Sequence, residues 1–133
     1  MHVHLAPHEK DRVIYLQNFK EDEKADLFAA CDIFAYPSWN ESFGIVFLEA
    51  WAAGKPVVGC RAGAIPTVVS DGEDGLLVPP RDPDSLGIAL LRLLNSDDLR
   101  RRLGRNGQNK VRQVYTWENV TRRWRELYEK VLC

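Results

Sequence analysis

The sequence predicts an α/β fold: a mostly parallel sheet with helices on both faces and a helical C-terminal third. Three observations carry it. Short apolar runs alternate with helix-period segments across short connections, the order that parallel strands and crossover helices require. The run Pro56-Val57-Val58-Gly59-Cys60 lacks polar alternation, as a strand covered on both faces does. The last third carries three apolar stripes at helical spacing.

The elements follow in order. Val13-Ile14-Tyr15-Leu16 is apolar and β-branched, the pattern of a buried strand. Glu21-Asp22-Glu23 opens a helix that continues through Leu27 and Phe28 to Cys31, early negative charge complementing the helix N-terminus. Ile33-Phe34-Ala35-Tyr36 reads as the next strand, stopped by Pro37. A helix is expected from Ile45 to Ala53, with Gly54 just past its end and Pro56 beyond. After the strand ending at Cys60, residues 65–69 suit a short helix. Asp71-Gly72 and Asp74-Gly75 then bracket a turn before the strand Leu76-Leu77-Val78.

Asp82 with Pro83 is a helix start, and Leu86, Leu90, Leu93 and Leu94 form its apolar face. Leu99, Leu103, Val111 and Val114 make a second stripe, interrupted by Gly104 and Gly107, which weaken a helix. Thr116 caps a last helix whose expected buried face is Trp117, Val120, Trp124, Leu127, Tyr128 and Val131. A core around Val57, Val58, Leu90, Trp124 and Tyr128 is the expectation.

At 133 residues the chain is one domain, with no internal repeat or linker, long enough to bury a core without disulfides. Eighteen Lys/Arg against nineteen Asp/Glu argue against a nucleic-acid partner. Residues 97–133 do hold ten Lys/Arg against five Asp/Glu, and Arg100-Arg101-Arg102 with Arg105 reads as a solvated helix face. Cys31, Cys60 and Cys133 have no metal-binding or paired spacing and indicate a reducing compartment. His2, His4 and His8 read as a frayed terminus, and no apolar run is long enough for a membrane span. With no basic and apolar leader, Asn40-Glu41-Ser42 and Asn119-Val120-Thr121 read as chance matches to a glycosylation pattern, and a cytoplasmic domain is expected.

In parallel sheets ligands gather beyond the carboxyl ends of the strands. That singles out Pro37-Ser38-Trp39-Asn40-Glu41-Ser42-Phe43-Gly44-Ile45-Val46-Phe47-Leu48-Glu49. Gly44 stands where loop becomes helix, so backbone there can approach a ligand closely. The free N–H groups of the following turn, backed by the helix dipole, suit a phosphate. Glu41 and Glu49 flank this place, and a carboxylate beside phosphate is repulsive unless each accepts hydrogen bonds from ligand hydroxyls. A nucleotide sugar, with hydroxyls at both ends and phosphate between, is one ligand that satisfies all of these groups. A pair of solvated surface carboxylates is the other reading. Gly54-Lys55 lacks the remaining residues of a phosphate-binding P-loop.

Glu41 to Glu49, followed by Ala50-Trp51-Ala52-Ala53-Gly54-Lys55-Pro56-Val57-Val58, resembles the E-x7-E motif of GT-B-fold glycosyltransferases, in particular glycosyl transferase group 1, the retaining family 4. Pro37-Ser38, Asp71-Gly72 through Gly75-Leu76-Leu77-Val78, and Asp82-Pro83 with Leu86 extend the match. The resemblance implies a Rossmann-like domain, the C-terminal half of a GT-B enzyme, with residues 1–133 as its nucleotide-sugar (donor) binding domain.

By the same resemblance Glu41 is catalytic and holds donor-sugar hydroxyls. Ser42, Phe43 and Gly44 border sugar and phosphate, the Ile45 and Val46 amides meet the diphosphate, Glu49 holds the ribose, and residues 17–20 lie beside the base. It implies no metal and no cofactor beyond the donor substrate. The family's first strand and helix of this domain, with their diphosphate-neutralising Arg and Lys, have no counterpart, residues 1–12 being at most a remnant. The N-terminal acceptor domain is missing too, so the chain alone is expected to be inactive. Gly63-Ala64-Ile65-Pro66-Thr67 departs from the family pattern. Peripheral membrane association of a full enzyme is compatible with the resemblance. The alternative is a stand-alone nucleotide-sugar binding module without turnover.

Overall fold

The computed structural model describes residues 12–132. The elements run α1 (Glu21–Ala30), β1 (Phe34–Tyr36), α2 (Ile45–Ala52), β2 (Val57–Cys60), α3 (Ile65–Val68), β3 (Gly75–Val78), α4 (Pro83–Leu94), α5 (Asp97–Lys110), a π-helical stretch Val111–Tyr115, and α6 (Trp117–Leu132). The three strands form one parallel sheet in the order β1-β2-β3, with Phe34 opposite Val57 and Val57 opposite Gly75. His2, His4, His8 and Cys133 lie outside the described residues.

Both faces of the sheet are covered, because neighbouring strand residues alternate between two buried clusters. Val57 and Leu77 join Phe47, Ala50, Trp51, Ile65, Val68 and Val69 from α2 and α3 on one side. Val58, Leu76 and Val78 join Ala89, Leu93 and Leu103 from α4 and α5 on the other. All eight residues of β2 and β3 are buried, which explains why neither run alternates with polar residues. The predicted caps form as well. Asp82 accepts hydrogen bonds from Ser85 N–H (3.0 Å) and Oγ (2.7 Å), which hold its carboxyl below the usual range.

Four expectations fail. The strand at 13–16 does not form: Val13, Ile14, Tyr15 and Leu16 are all exposed, Ile14 at 82%, and pair with no described strand. A β-branched run favours an extended chain but needs a neighbouring strand to become part of a sheet. Leu94 points to solvent, and Ala89 takes the buried place on α4.

Gly104 and Gly107 are not weak points of α5. They are buried where it crosses α2, and a Cβ would stand 2.1 Å from Gly54 O at the first and 2.1 Å from Trp51 Cδ1 at the second. Close helix crossing, not helix propensity, explains them.

The last difference is α6. Apart from half-buried Val120, its apolar residues are exposed, Trp117 at 83% and Trp124 at 55%, and Trp124 and Tyr128 are outside both buried clusters. An amphipathic stripe records that a face is apolar, not what covers it. The Trp124 ring meets Tyr128 of the same helix in a tilted contact, ring centroids 5.9 Å apart. Trp124→Ala in this chain is therefore expected to change stability by about 0.5 kcal/mol or less, as surface substitutions do. A urea titration reads it, and a loss above ~2 kcal/mol would show a buried ring.

Candidate functional site

The loop after β1 climbs away from the carboxyl edge of the sheet and turns into α2 at Gly44. Gly44 has φ +85°, in the left-handed region, and a Cβ there would sit 2.7 Å from Phe47 Cδ2. Both backbone and packing require glycine. Phe47 N–H already bonds Gly44 O (3.0 Å), and no side chain caps the helix, so the amides of Ile45 and Val46 keep the orphan donors of a first turn. Ile45 is exposed and Val46 half-buried.

Around this turn stand the other predicted residues. Ser42 is exposed. The Phe43 ring meets Tyr115 of the π-helical stretch edge-on, centroids 5.9 Å apart. Glu41 is half-buried, its Oε1 within 3.5 Å of the Tyr36 hydroxyl. The backbone of Glu41 is braced by the loop after β2: Ala64 N–H donates to Glu41 O (3.2 Å), and Gly63, at φ +57°, approaches so closely that a Cβ would be 2.9 Å from that oxygen. The segment Gly63-Ala64 thus supports the Glu41 loop through backbone, whatever its side chains.

Glu49 sits one turn further along α2 and faces α1. Its Oε1 accepts a 2.6 Å bond from Lys24 Nζ, while Oε2 is buried without a hydrogen-bond partner. The Glu49 bond is the main cause that raises the Lys24 ammonium above its ordinary pKa, so Lys24 is charged at neutral pH. Lys24 and Glu49 line a cavity of about 400 Å³ with Glu21, Ala25, Phe28 and Ala52. A second, apolar cavity of about 320 Å³ adjoins it, lined by Phe19, Lys24, Phe28, Tyr36 and Val46 among others. Of residues 17–20, Phe19 borders that space, and Lys20 N–H donates to Glu23 Oε2 (2.8 Å) at the start of α1.

Lys24 left no local signal in the sequence, being 25 residues from its partner. A second residue was missed in the same way. Arg81 has φ +58°, uncommon for a side chain of this size, and its guanidinium lies over the Trp39 ring, 5.0 Å from the centroid. That contact ties the loop after β3 to the loop that carries Glu41. Arg100, read as solvated, instead donates to the last carbonyls of α4, Leu93 O (2.6 Å) and Leu94 O (2.8 Å). Among the described residues no three His, Cys, Asp or Glu side chains are grouped as metal ligands. Burial raises the thiols of Cys31 and Cys60, which makes both poor nucleophiles. No described helix is long and apolar enough to cross a membrane.

Residues 5–110 match the family model of glycosyl transferases group 1. The chain belongs to this family. It is 39% identical over 111 residues to a D-inositol 3-phosphate glycosyltransferase of Corynebacterium kroppenstedtii, covering 84% of this chain and 24% of the relative. In three dimensions it is similar to sucrose-phosphate synthase from Thermosynechococcus elongatus, with a TM-score of 0.84, 33% identity, and coverage of 94% of this chain and 31% of the other. It is also similar to Anabaena HepE solved in complex with UDP-glucose, with a TM-score of 0.76, 28% identity, and coverage of 84% and 31%. These structural neighbours are GT-B glycosyltransferases, so the three-stranded parallel sheet with its helices is a GT-B-type α/β unit. The chain spans about a quarter of the length of the curated relatives it matches.

Proposed function

We propose that the chain is the donor-binding part of a glycosyltransferase that moves a sugar from a nucleotide sugar to an acceptor hydroxyl with retention. The observation that carries this reading is the combination on one element. The uncapped first turn of α2, entered through Gly44, is flanked by Glu41 before it and Glu49 one turn inside it. Family membership and the likeness to HepE, solved with UDP-glucose, support it.

The chemistry follows from the groups. The Ile45 and Val46 amides with the α2 dipole stabilise the diphosphate as it leaves with the bond electrons, an electrostatic contribution to catalysis. Glu41 accepts hydrogen bonds from hydroxyls of the transferred sugar, and Glu49 from those of the ribose. The acceptor hydroxyl attacks on the face from which the diphosphate departs and passes its proton to an oxygen of the departing phosphate.

Calorimetric titration separates the two carboxylates. Glu49→Ala is expected to weaken a nucleoside diphosphate and its sugar derivative alike, by about 1.5–3 kcal/mol, or roughly tenfold to a hundredfold. Glu41→Ala should weaken the nucleotide sugar and spare the nucleoside diphosphate. UDP, GDP and ADP, each with its glucose or mannose ester, are the ligands to try. If both variants weaken both ligands equally, the separate roles are wrong; if neither matters, the two residues are a solvated helix edge.

A further inference from the structure

We propose that Lys24 is a positioning residue for ribose recognition, acting through Glu49; this rests on the donor-binding reading above. Three observations meet at one place. Lys24 Nζ holds Oε1 of Glu49 at 2.6 Å. The other oxygen, Oε2, is buried and unpartnered. Both side chains line the cavity of about 400 Å³ between α1 and α2.

A carboxylate oxygen without a donor is costly, more so when water does not reach it. The fold tolerates it because the ammonium neutralises the carboxylate and fixes its rotamer from the opposite element. A ligand that brings a hydroxyl to Oε2 supplies the missing bond, and the preset carboxylate spares it the entropy of ordering a free side chain. A vicinal diol fits this arrangement: one hydroxyl reaches Oε2, and the second shares Oε1 with the ammonium. Lys24 also bonds Glu21 (3.3 Å), but that carboxylate is exposed and contributes little. The pair joins α1 to α2, so it also sets the width of the cavity that a nucleoside would enter. The Phe28 and Ala52 flanks of that cavity are apolar, as the rim of a base and sugar would require.

Discrimination between ribose and deoxyribose tests this, because a structural role for Lys24 would not move it. The 133-residue chain is titrated with UDP, GDP and ADP, and the tightest is compared with its 2′-deoxy and 3′-deoxy forms. Lys24→Met is expected to weaken the ribonucleotide by roughly tenfold, the worth of one charge-assisted bond, and to shrink the ribo-to-deoxy ratio towards one. Thermal unfolding should change little, the pair being partly exposed. Lys24→Arg should restore most of the ratio.

Unchanged or tighter binding by Lys24→Met overturns the inference, since it would make the lysine a bystander or a competitor for Glu49. Failure of the underlying reading looks different. If wild-type protein ignores the deoxy substitutions, or Glu49→Gln leaves the ratio intact, Glu49 does not hold the ribose. If Glu49→Gln abolishes the ratio while Lys24→Met preserves it, ribose recognition stands and only the role of Lys24 falls.

Discussion

Trp51→Ala is expected to lower the stability of the chain by about 3–5 kcal/mol, the range for emptying a buried tryptophan site. Domains of this kind have only ~5–15 kcal/mol in all, so the variant should be largely unfolded in mild denaturant. The indole is fully buried in the last turn of α2, where α5 and the turn before β3 converge on it. From α5, Gly107 lies flat against the ring, with no side chain of its own to move into a vacated space. From the turn before β3, Asp74 O accepts the indole N–H at 2.9 Å and would lose its donor. The ammonium of Lys110 lies 5.3 Å from the ring centroid and would lose that contact as well. The complement is Gly107→Ala, whose Cβ would overlap the ring and force α2 and α5 apart. Urea unfolding followed by circular dichroism measures both. A loss below ~1 kcal/mol for Trp51→Ala would mean that α2 and α5 do not cross as described.

What the sequence made legible follows the range of the interactions concerned. The strands β2 and β3 were readable because burial on both faces leaves an unbroken apolar run. The start of α4 at Asp82-Pro83 and the stop of α2 at Gly54-Lys55-Pro56 were readable because caps are local chemistry. The grouping of Glu41, Gly44 and Glu49 was readable for the same reason: helix geometry fixes how far Glu49 lies from the turn at Gly44.

The misses are long-range. Gly104 and Gly107 are poor helix formers by local propensity, yet the residues that demand them, Gly54 and Trp51, are about fifty positions away. Lys24 and Arg81 act on Glu49 and Trp39 across similarly unreadable gaps. The run at 13–16 has the right residues for a strand, but sheet formation depends on an edge that residue type does not encode. The stripe on α6 has the right period for packing, yet of its apolar residues only Val120 is half-buried and the others stay exposed.

The second large effect concerns Asp74, which in sequence looks like an ordinary turn residue before Gly75. Its side chain is only 6% exposed, and the fold commits two donor groups to it. Ser70 N–H bonds Oδ1 at 2.8 Å, and the Lys110 ammonium bonds Oδ2. The same ammonium donates to Val68 O at 2.7 Å and Ser70 Oγ at 3.1 Å. One cation from the end of α5 thus gathers α3, the turn before β3 and, through its ring contact, α2.

Lys110→Met keeps the aliphatic length and removes the charge. It leaves a buried carboxylate with half of its bonding and no counter-charge, a change that costs about 3–5 kcal/mol elsewhere in proteins. Asp74→Asn should cost less, because Asn retains an acceptor for Ser70 and the Lys110 ammonium, 24% exposed, can turn towards water. Replacing both residues, Asp74→Asn with Lys110→Met, should cost clearly less than the two single changes added together, since no uncompensated charge remains. Added salt should alter these values little, because the pair is shielded from solvent ions. Chemical denaturation of the wild type, the two single variants and the double closes the cycle. Additive losses, or a Lys110→Met effect under ~1 kcal/mol, would mean that Asp74 is hydrated and the ammonium only a surface contact.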